Sequence, residues 1–186
     1  MTRALIVVDV QNDYFDGGAM ALVGMNEAAA NVGALLAGFR AAGAPVIHVQ
    51  HLSTRPGATF FVPGTPGCDI NSAAAPAGGE PVVRKHFPSA FRGTDLDDRL
   101  KDAGVEKVTI CGAMSHMCID STTRAAFDLG YGCTVVESAC ATRDLEFGGR
   151  VLPAADVHAA FMAALRVPFA AVVDTAAALE GLSGEG

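Results

Sequence analysis

Short apolar runs alternate with longer amphipathic segments along the whole chain. Six of the runs are rich in β-branched residues, and their nearly continuous apolarity is typical of strands buried on both faces, as in a parallel sheet. The predicted strands are 4–10, 45–51, 81–85, 107–113, 133–138 and 169–174.

The segments between these strands have the pattern of helices. Segment 26–43 ends in a glycine suited to a C-cap, and segment 94–104 opens on Thr94 as its N-cap. The predicted helices are 26–43, 94–104, 118–130, 154–166 and 175–182. Repeated strand–helix–strand alternation predicts a single α/β domain over residues 1–186, with a three-layer α/β/α, Rossmann-like architecture around a mostly parallel six-stranded sheet.

Residues 52–80 interrupt this alternation. The segment is rich in proline and glycine and has no clear hydrophobic period. A loop of this length inside a compact domain is usually functional.

Composition and charge restrict the possible partners. The chain is 51% hydrophobic with a mean hydropathy of +0.34, yet none of its apolar runs approaches the ~20 residues that a membrane span needs. We expect no membrane association, and the apolar surplus predicts a homo-oligomer, a dimer or larger. The net charge of -7 argues against a nucleic-acid partner.

The first residues, "MTRALIVVDVQ", imitate the start of a signal peptide. Asp9 interrupts the apolar run too early, however, and no small-residue cleavage site follows it. We therefore expect a cytoplasmic protein.

The cysteines do not form a recognisable framework. There are five, at positions 68, 111, 118, 133 and 140, and none is in C-x-x-C spacing. An odd number without that spacing fits neither a set of disulfides nor a structural zinc site.

Three ionisable residues follow the ends of predicted strands: Asp9, Lys85 and Cys118. In an open parallel sheet, ligands bind beyond the carboxyl ends of the strands, so these side chains can converge on one cleft. Neither G-x-G-x-x-G nor G-x-x-x-x-G-K-[ST] occurs in the sequence, which argues against a dinucleotide or phosphate-loop site.

Each of the three also has a structural interpretation, since Asp9 can cap a turn, Lys85 can be a solvated charge and Cys118 a buried thiol. Together they indicate chemistry. A cysteine at the start of a helix and beside an ammonium group has its thiolate favoured, and a nearby carboxylate can accept the thiol proton. Asp9 is then the base, Lys85 the electrostatic partner and Cys118 the nucleophile.

The three residues lie in or beside the segments "ALIVVDVQNDYF", "VVRKHFPSAF" and "TICGAMSHMCIDSTTRAAFDLGY". These segments resemble the signature regions of the isochorismatase-like cysteine hydrolase superfamily, which includes nicotinamidases, N-carbamoylsarcosine amidases and streptothricin hydrolase. The resemblance implies an Asp9–Lys85–Cys118 triad that forms a thioester with a small amide substrate and cleaves its C–N bond. It also implies a cis peptide between Ala113 and Met114, and an oxyanion hole formed by the backbone N–H groups of Met114 and Cys118.

The sequence departs from the nicotinamidases at their metal ligands. Those enzymes carry Asp-x-His and a further histidine after the second strand, whereas this chain reads "HVQHLSTRPG". His48 and His51 are three residues apart, so on a strand they face opposite sides and cannot share one ion. We expect neither a metal nor another cofactor.

Six further residues are candidates for substrate contact, although each also has a structural interpretation as core packing or turn capping. They are Gln11, Phe15, Phe60, Phe61, Phe87 and His116. Two other functions stay open on the same fold: vinyl-ether hydrolysis of the isochorismatase type, and a non-catalytic binding or redox-sensing module with a reactive thiol.

Overall fold

A parallel sheet of six strands forms the centre of the computed structural model, which describes residues 2–183. Within these residues, the eight strands are β1 Thr2–Val8, β2 Val46–His51, β3 Val82–Lys85, β4 Val105–Ala113, β5 Gly132–Ala141, β6 Leu145–Phe147, β7 Arg150–Leu152 and β8 Ala171–Val173. The five α-helices of the same range are α1 Met25–Ala41, α2 Leu96–Asp102, α3 Asp120–Asp128, α4 Ala154–Leu165 and α5 Thr175–Ser183.

The order of strands in the sheet places a crevice at its centre. The order is β3-β2-β1-β4-β5-β8, so the chain builds outwards from β1 in one direction and from β4 in the other. The carboxyl ends of β1 and β4 therefore flank a topological switch point, which is where open α/β sheets bind their ligands.

Two apolar layers cover the faces of the sheet because alternate residues of each buried strand point to opposite sides. In β1, Ile6 and Val8 pack with α2, α3 and α4, while Leu5 and Val7 pack with α1 and α5. The predicted three-layer α/β/α fold is confirmed. Within residues 2–183, none of the helices combines the length and apolarity required to cross a bilayer.

Segment 52–80 packs against the carboxyl end of the sheet. It contains two short 3-10 helices, Pro66–Cys68 and Ser72–Ala74. Its backbone joins the turn after β1 through an isolated bridge between Gln11 and Ile70. The long loop thus becomes a wall over the switch point.

Several predicted boundaries were wrong. Segment 145–152 was not recognised as structured, but forms the antiparallel hairpin of β6 and β7, whose three-residue strands are too short for a periodic signal. Thr94 is not an N-cap residue of α2, which begins at Leu96; its hydroxyl donates to Ala90 O at 2.6 Å and accepts the Leu96 N–H at 3.3 Å.

The helix predicted from Cys118 also begins later. Residues Ser115–Ile119 form a π-helical turn, and α3 starts only at Asp120. Such turns are frequent at functional sites.

Candidate active site

The side chains of Asp9, Lys85 and Cys118 meet at the switch point. Lys85 Nζ lies 2.7 Å from Asp9 Oδ2 and 3.2 Å from Cys118 Sγ. Asp9 and Lys85 have no solvent exposure, and Cys118 is 5% exposed. A fully buried ion pair is an inefficient way to stabilise a fold, because desolvation offsets its attraction, so the arrangement indicates chemistry.

The backbone at Asp9 is held in an uncommon conformation. Its φ of 53° lies in the left-handed region that residues other than glycine rarely adopt. Such strain persists where the surrounding structure enforces it, and it clusters at functional sites.

Two further groups hold the Lys85 ammonium in place. His51 Nδ1 lies 2.9 Å from Lys85 Nζ, and the carbonyl oxygen of Phe87 accepts from it at 3.1 Å. Burial and the Lys85 charge lower the pKa of His51 to about 4. His51 is therefore neutral near pH 7, and its Nδ1 accepts a hydrogen bond from the Lys85 ammonium group.

Ligand atoms of Asp9, His51 and Cys118 lie within 4.8 Å of one another, a spacing that suits a metal ion. The Lys85 ammonium contacts all three side chains, however, so a positive charge already occupies the middle of this set. A metal ion there would have to displace or deprotonate Lys85. His48 lies elsewhere, with Nε2 2.9 Å from Glu80 Oε2.

The pKa of the Cys118 thiol is raised, whereas a position at the start of a helix and beside an ammonium group predicts that it is lowered. Burial and then the negative charge of Asp9 raise the pKa of the Cys118 thiol, and the opposing effect of Lys85 is too small to reverse them. Burial also disfavours the ammonium form of Lys85, but the charge of Asp9 and that of the ionised Cys118 raise its pKa overall. Burial and the Asp9 charge thus outweigh the single cation and favour a protonated thiol beside the Asp9–Lys85 ion pair, from which Asp9 can accept the proton.

Local geometry at the end of β4 brings the thiol to the cavity. Gly112 has a φ of 118°, and any Cβ there would collide with the backbone of Val8, so only glycine permits this approach of β4 to β1. The peptide bond between Ala113 and Met114 is cis. The carbonyl of Met114 then accepts the N–H groups of Met117 and Ile119, which closes the turn around Cys118.

Ser115 fixes this turn from beneath. Its hydroxyl is buried, lies 2.8 Å from His158 Nδ1 on α4 and lies 3.3 Å from Ala141 O on β5. His158 Nε2 lies 3.6 Å from Glu137 Oε2. Ser115 therefore ties the turn that carries Cys118 to α4 and to β5.

A cavity of about 380 Å³ opens directly above Cys118. Its walls are mainly apolar and aromatic, with a few polar groups. The lining residues are Tyr14, His51, Thr54, Arg55, Phe60, His86, Phe87, Pro88, Met114, Met117 and Cys118. The volume suits a small molecule.

Only two of the six predicted substrate contacts line this cavity, Phe60 and Phe87. Phe61 is fully buried behind the wall, with its ring 4.6 Å from that of Tyr14. Phe15 lies at a separate surface depression beside Asn12.

Gln11 and His116 are also outside the lining. The Gln11 amide accepts the His51 N–H at 2.8 Å and donates to His51 O and Cys68 O at 3.0 and 2.7 Å, so it fastens the turn after β1 to the end of β2 and to segment 52–80. His116 Nδ1 lies 2.6 Å from Thr142 Oγ1. For both residues the capping or packing interpretation describes these contacts.

Other lining residues were missed by sequence reasoning. Tyr14 is adjacent to Phe15 in "QNDYF", and nothing in that string indicates which ring faces the cleft. His51 was weighed only as a metal ligand, and the spacing from His48 argued against that role. Arg55 lies in the aperiodic segment, where no pattern distinguishes a cavity residue from an exposed one.

Residues 3–177 match the family model described as the isochorismatase domain. The chain belongs to the isochorismatase family. It is 49% identical over 180 residues to the isochorismatase family protein YddQ of Bacillus subtilis (strain 168), covering 97% of this chain and 100% of YddQ. A solved structure from Oleispira antarctica that carries the isochorismatase hydrolase name superposes with a TM-score of 0.94, at 50% identity and 97% coverage of both chains.

Two members of the isochorismatase family with named activities are also similar. Streptothricin hydrolase of Streptomyces noursei is 38% identical over 143 residues, which cover 77% of this chain and 51% of that enzyme. The structure of N-carbamoylsarcosine amidase from Thermoplasma acidophilum superposes with a TM-score of 0.79 at 27% identity, covering 94% of this chain and 97% of the amidase. The family is thus one of hydrolases, and its members include an amidase.

Proposed function

We propose that this protein hydrolyses an amide-type C–N bond of a small molecule through a thioester on Cys118. The observation that carries the proposal is the buried contact of Lys85 with both Asp9 and Cys118 directly beneath an apolar cavity. A nucleophile within reach of a base, with the base oriented by a third group, is the general arrangement for covalent catalysis.

The first half-reaction forms the thioester. Cys118 Sγ attacks the carbonyl carbon while Asp9 accepts the thiol proton, so the raised pKa of the thiol delays ionisation until the attack. The backbone N–H groups of Met114 and Cys118 are the proposed donors to the oxyanion. When the C–N bond breaks, Asp9 returns the proton to the departing nitrogen.

The second half-reaction uses the same groups on water. Asp9 accepts a proton as the water oxygen attacks the thioester carbonyl, and the carboxylic acid product leaves as Sγ regains the proton. Lys85 keeps its charge throughout and stabilises each ionised form of its two partners.

Relatives support the amide class over the other two functions. The amidase named above covers nearly all of this chain. Vinyl-ether hydrolysis proceeds by protonation and has no use for a thiol. A redox-sensing thiol has no need of a buried carboxylate base that is held by an ammonium group, as Asp9 is by Lys85.

A substrate panel tests the reaction class. Small amides, carbamoyl compounds and isochorismate are incubated with the protein, and the release of ammonia or amine is compared with the release of pyruvate. We expect amide cleavage, an acyl adduct on Cys118 by intact mass, and hydroxamate formation when hydroxylamine replaces water. Pyruvate release that survives Cys118→Ala, with every amide intact, would contradict the proposal.

The contact between Ser115 and His158 leads to a further prediction about the nucleophile turn, the π-helical turn Ser115–Ile119 that carries Cys118. Ser115→Ala should lower kcat by about tenfold with little change in KM, because displacement of the turn misaligns the oxyanion donors without altering the cavity walls. His158→Asn, which keeps a nitrogen near the Nδ1 position, should retain more activity than His158→Phe. Steady-state kinetics together with thermal melting separates this effect from simple destabilisation. A kcat equal to that of the wild type in all three variants would contradict the prediction.

A further inference from the structure

The charged groups at the cavity are basic. Arg55 lines the cavity, and Arg92 lies 3.7 Å above the ring of Phe87, which forms part of the wall. Among residues 2–183, none of those that line the cavity is an aspartate or a glutamate. Asp9 lies below, where the ion pair with Lys85 compensates its charge.

Arg55 differs from three other arginines of this acidic chain, which are held by carboxylates. Arg40, Arg99 and Arg124 each pair with a carboxylate, Glu80, Asp95 and Asp120 respectively. Within the part of the chain that the structure describes, no carboxylate pairs with Arg55. In a protein with a net charge of -7, an unpaired guanidinium at the mouth of a cavity is available to an anion from outside.

The positive charge of Arg55 reaches the site itself. The pKa of His51 is lowered by burial, then by the charges of Lys85 and His86, and also by that of Arg55. The lining also includes the side chains of Tyr14, Phe60 and Met117. Of the two ends that matter here, Cys118 is nearly buried and Arg55 is exposed to solvent. A ligand that spans the cavity therefore meets an acyl-reactive group at one end, apolar surface along its body and a cation at the mouth.

We propose that the substrate carries a carboxylate at the end of an apolar body remote from the scissile amide, and that Arg55 binds this carboxylate. The inference rests on the proposed function for the reaction, but the charge preference of the cavity is measurable without turnover. A guanidinium is well suited to this role because its planar N–H groups match both carboxylate oxygens.

Alkylation of Cys118 tests the cavity directly. Iodoacetate and iodoacetamide are nearly isosteric and differ in charge, so the ratio of their rates at Cys118, divided by the same ratio for 2-mercaptoethanol, reports the local preference for an anion. Arg55→Gln should lower this ratio by about fivefold, the effect of one partly exposed ion pair. The wild-type ratio should fall as salt is raised from about 0.01 to 1 M, because the Debye length shrinks from ~30 to ~3 Å.

Arg166→Gln is the matched control, since it removes the same charge from an exposed position outside the cavity lining. Peptide mass mapping confines the measurement to Cys118. A ratio that Arg55→Gln leaves unchanged, or that both variants lower equally, would overturn the inference.

A set of substrates tests whether the charge preference of the cavity also appears in hydrolysis. Amides with an alkyl chain ending in a carboxylate, a methyl or an ammonium group are compared at three chain lengths. We expect kcat/KM to be about fivefold higher for the best carboxylate than for its neutral analogue, with the preference lost in Arg55→Gln. Hydrolysis without a charge preference overturns the inference alone, whereas an intact alkylation preference without hydrolysis of any amide overturns the proposed function alone.

Discussion

Replacing Cys118 with alanine should abolish amide turnover while the protein remains folded. The thiol is the proposed nucleophile, and without it no thioester forms, so we expect a loss of more than about 1,000-fold in kcat. Loss of one sulfur atom at a turn leaves a small cavity that should cost about 1 kcal/mol of the free energy of unfolding. Ammonia release and thermal melting measure the two effects.

Cys111→Ala is the control for this substitution. Cys111 is fully buried within β4 and shares the strand that leads to the nucleophile turn, but it does not line the cavity. We expect turnover close to that of the wild type. If Cys111 proved essential and Cys118 dispensable, the assignment of the nucleophile would be wrong.

Asp9→Asn should lower turnover by at least ~100-fold while making Cys118 easier to alkylate. The amide cannot accept the thiol proton, and loss of a general base has an effect of this size. Because the Asp9 charge is one of the causes that raise the pKa of Cys118, its removal lowers that pKa and increases the thiolate fraction near neutral pH. Hydrolysis and thiol reactivity should therefore change in opposite directions.

The pH dependence of iodoacetamide alkylation measures the second effect. Its midpoint should move to lower pH in Asp9→Asn and stay in place in Asp16→Asn, which removes an exposed carboxylate from the same turn. A midpoint that does not move, together with turnover within tenfold of the wild type, would exclude Asp9 as the base.

Much of the framework was predictable because it depends on local patterns. Apolar runs such as "ALIVVDV" and "KVTICGA" predict strands buried on both faces, and glycines end the helices between them. Short or irregular elements were not predictable in this way. The hairpin of β6 and β7 and the π-helical turn at Ser115–Ile119 depend on packing and on the ends of neighbouring strands.

By itself, the sequence determined the parallel α/β architecture and the three strand ends that carry Asp9, Lys85 and Cys118, since strand burial and the position of strand ends follow from the order of residues. Only the tertiary structure decided which side chains face the cavity. Residues 52–80 fold back over the switch point, so Arg55 lies at the mouth of the cavity. The Gln11 amide is instead hydrogen-bonded to backbone groups. The protonation state of Cys118 was likewise decided in three dimensions, because desolvation and the Asp9 charge act through space and have no signature in the sequence.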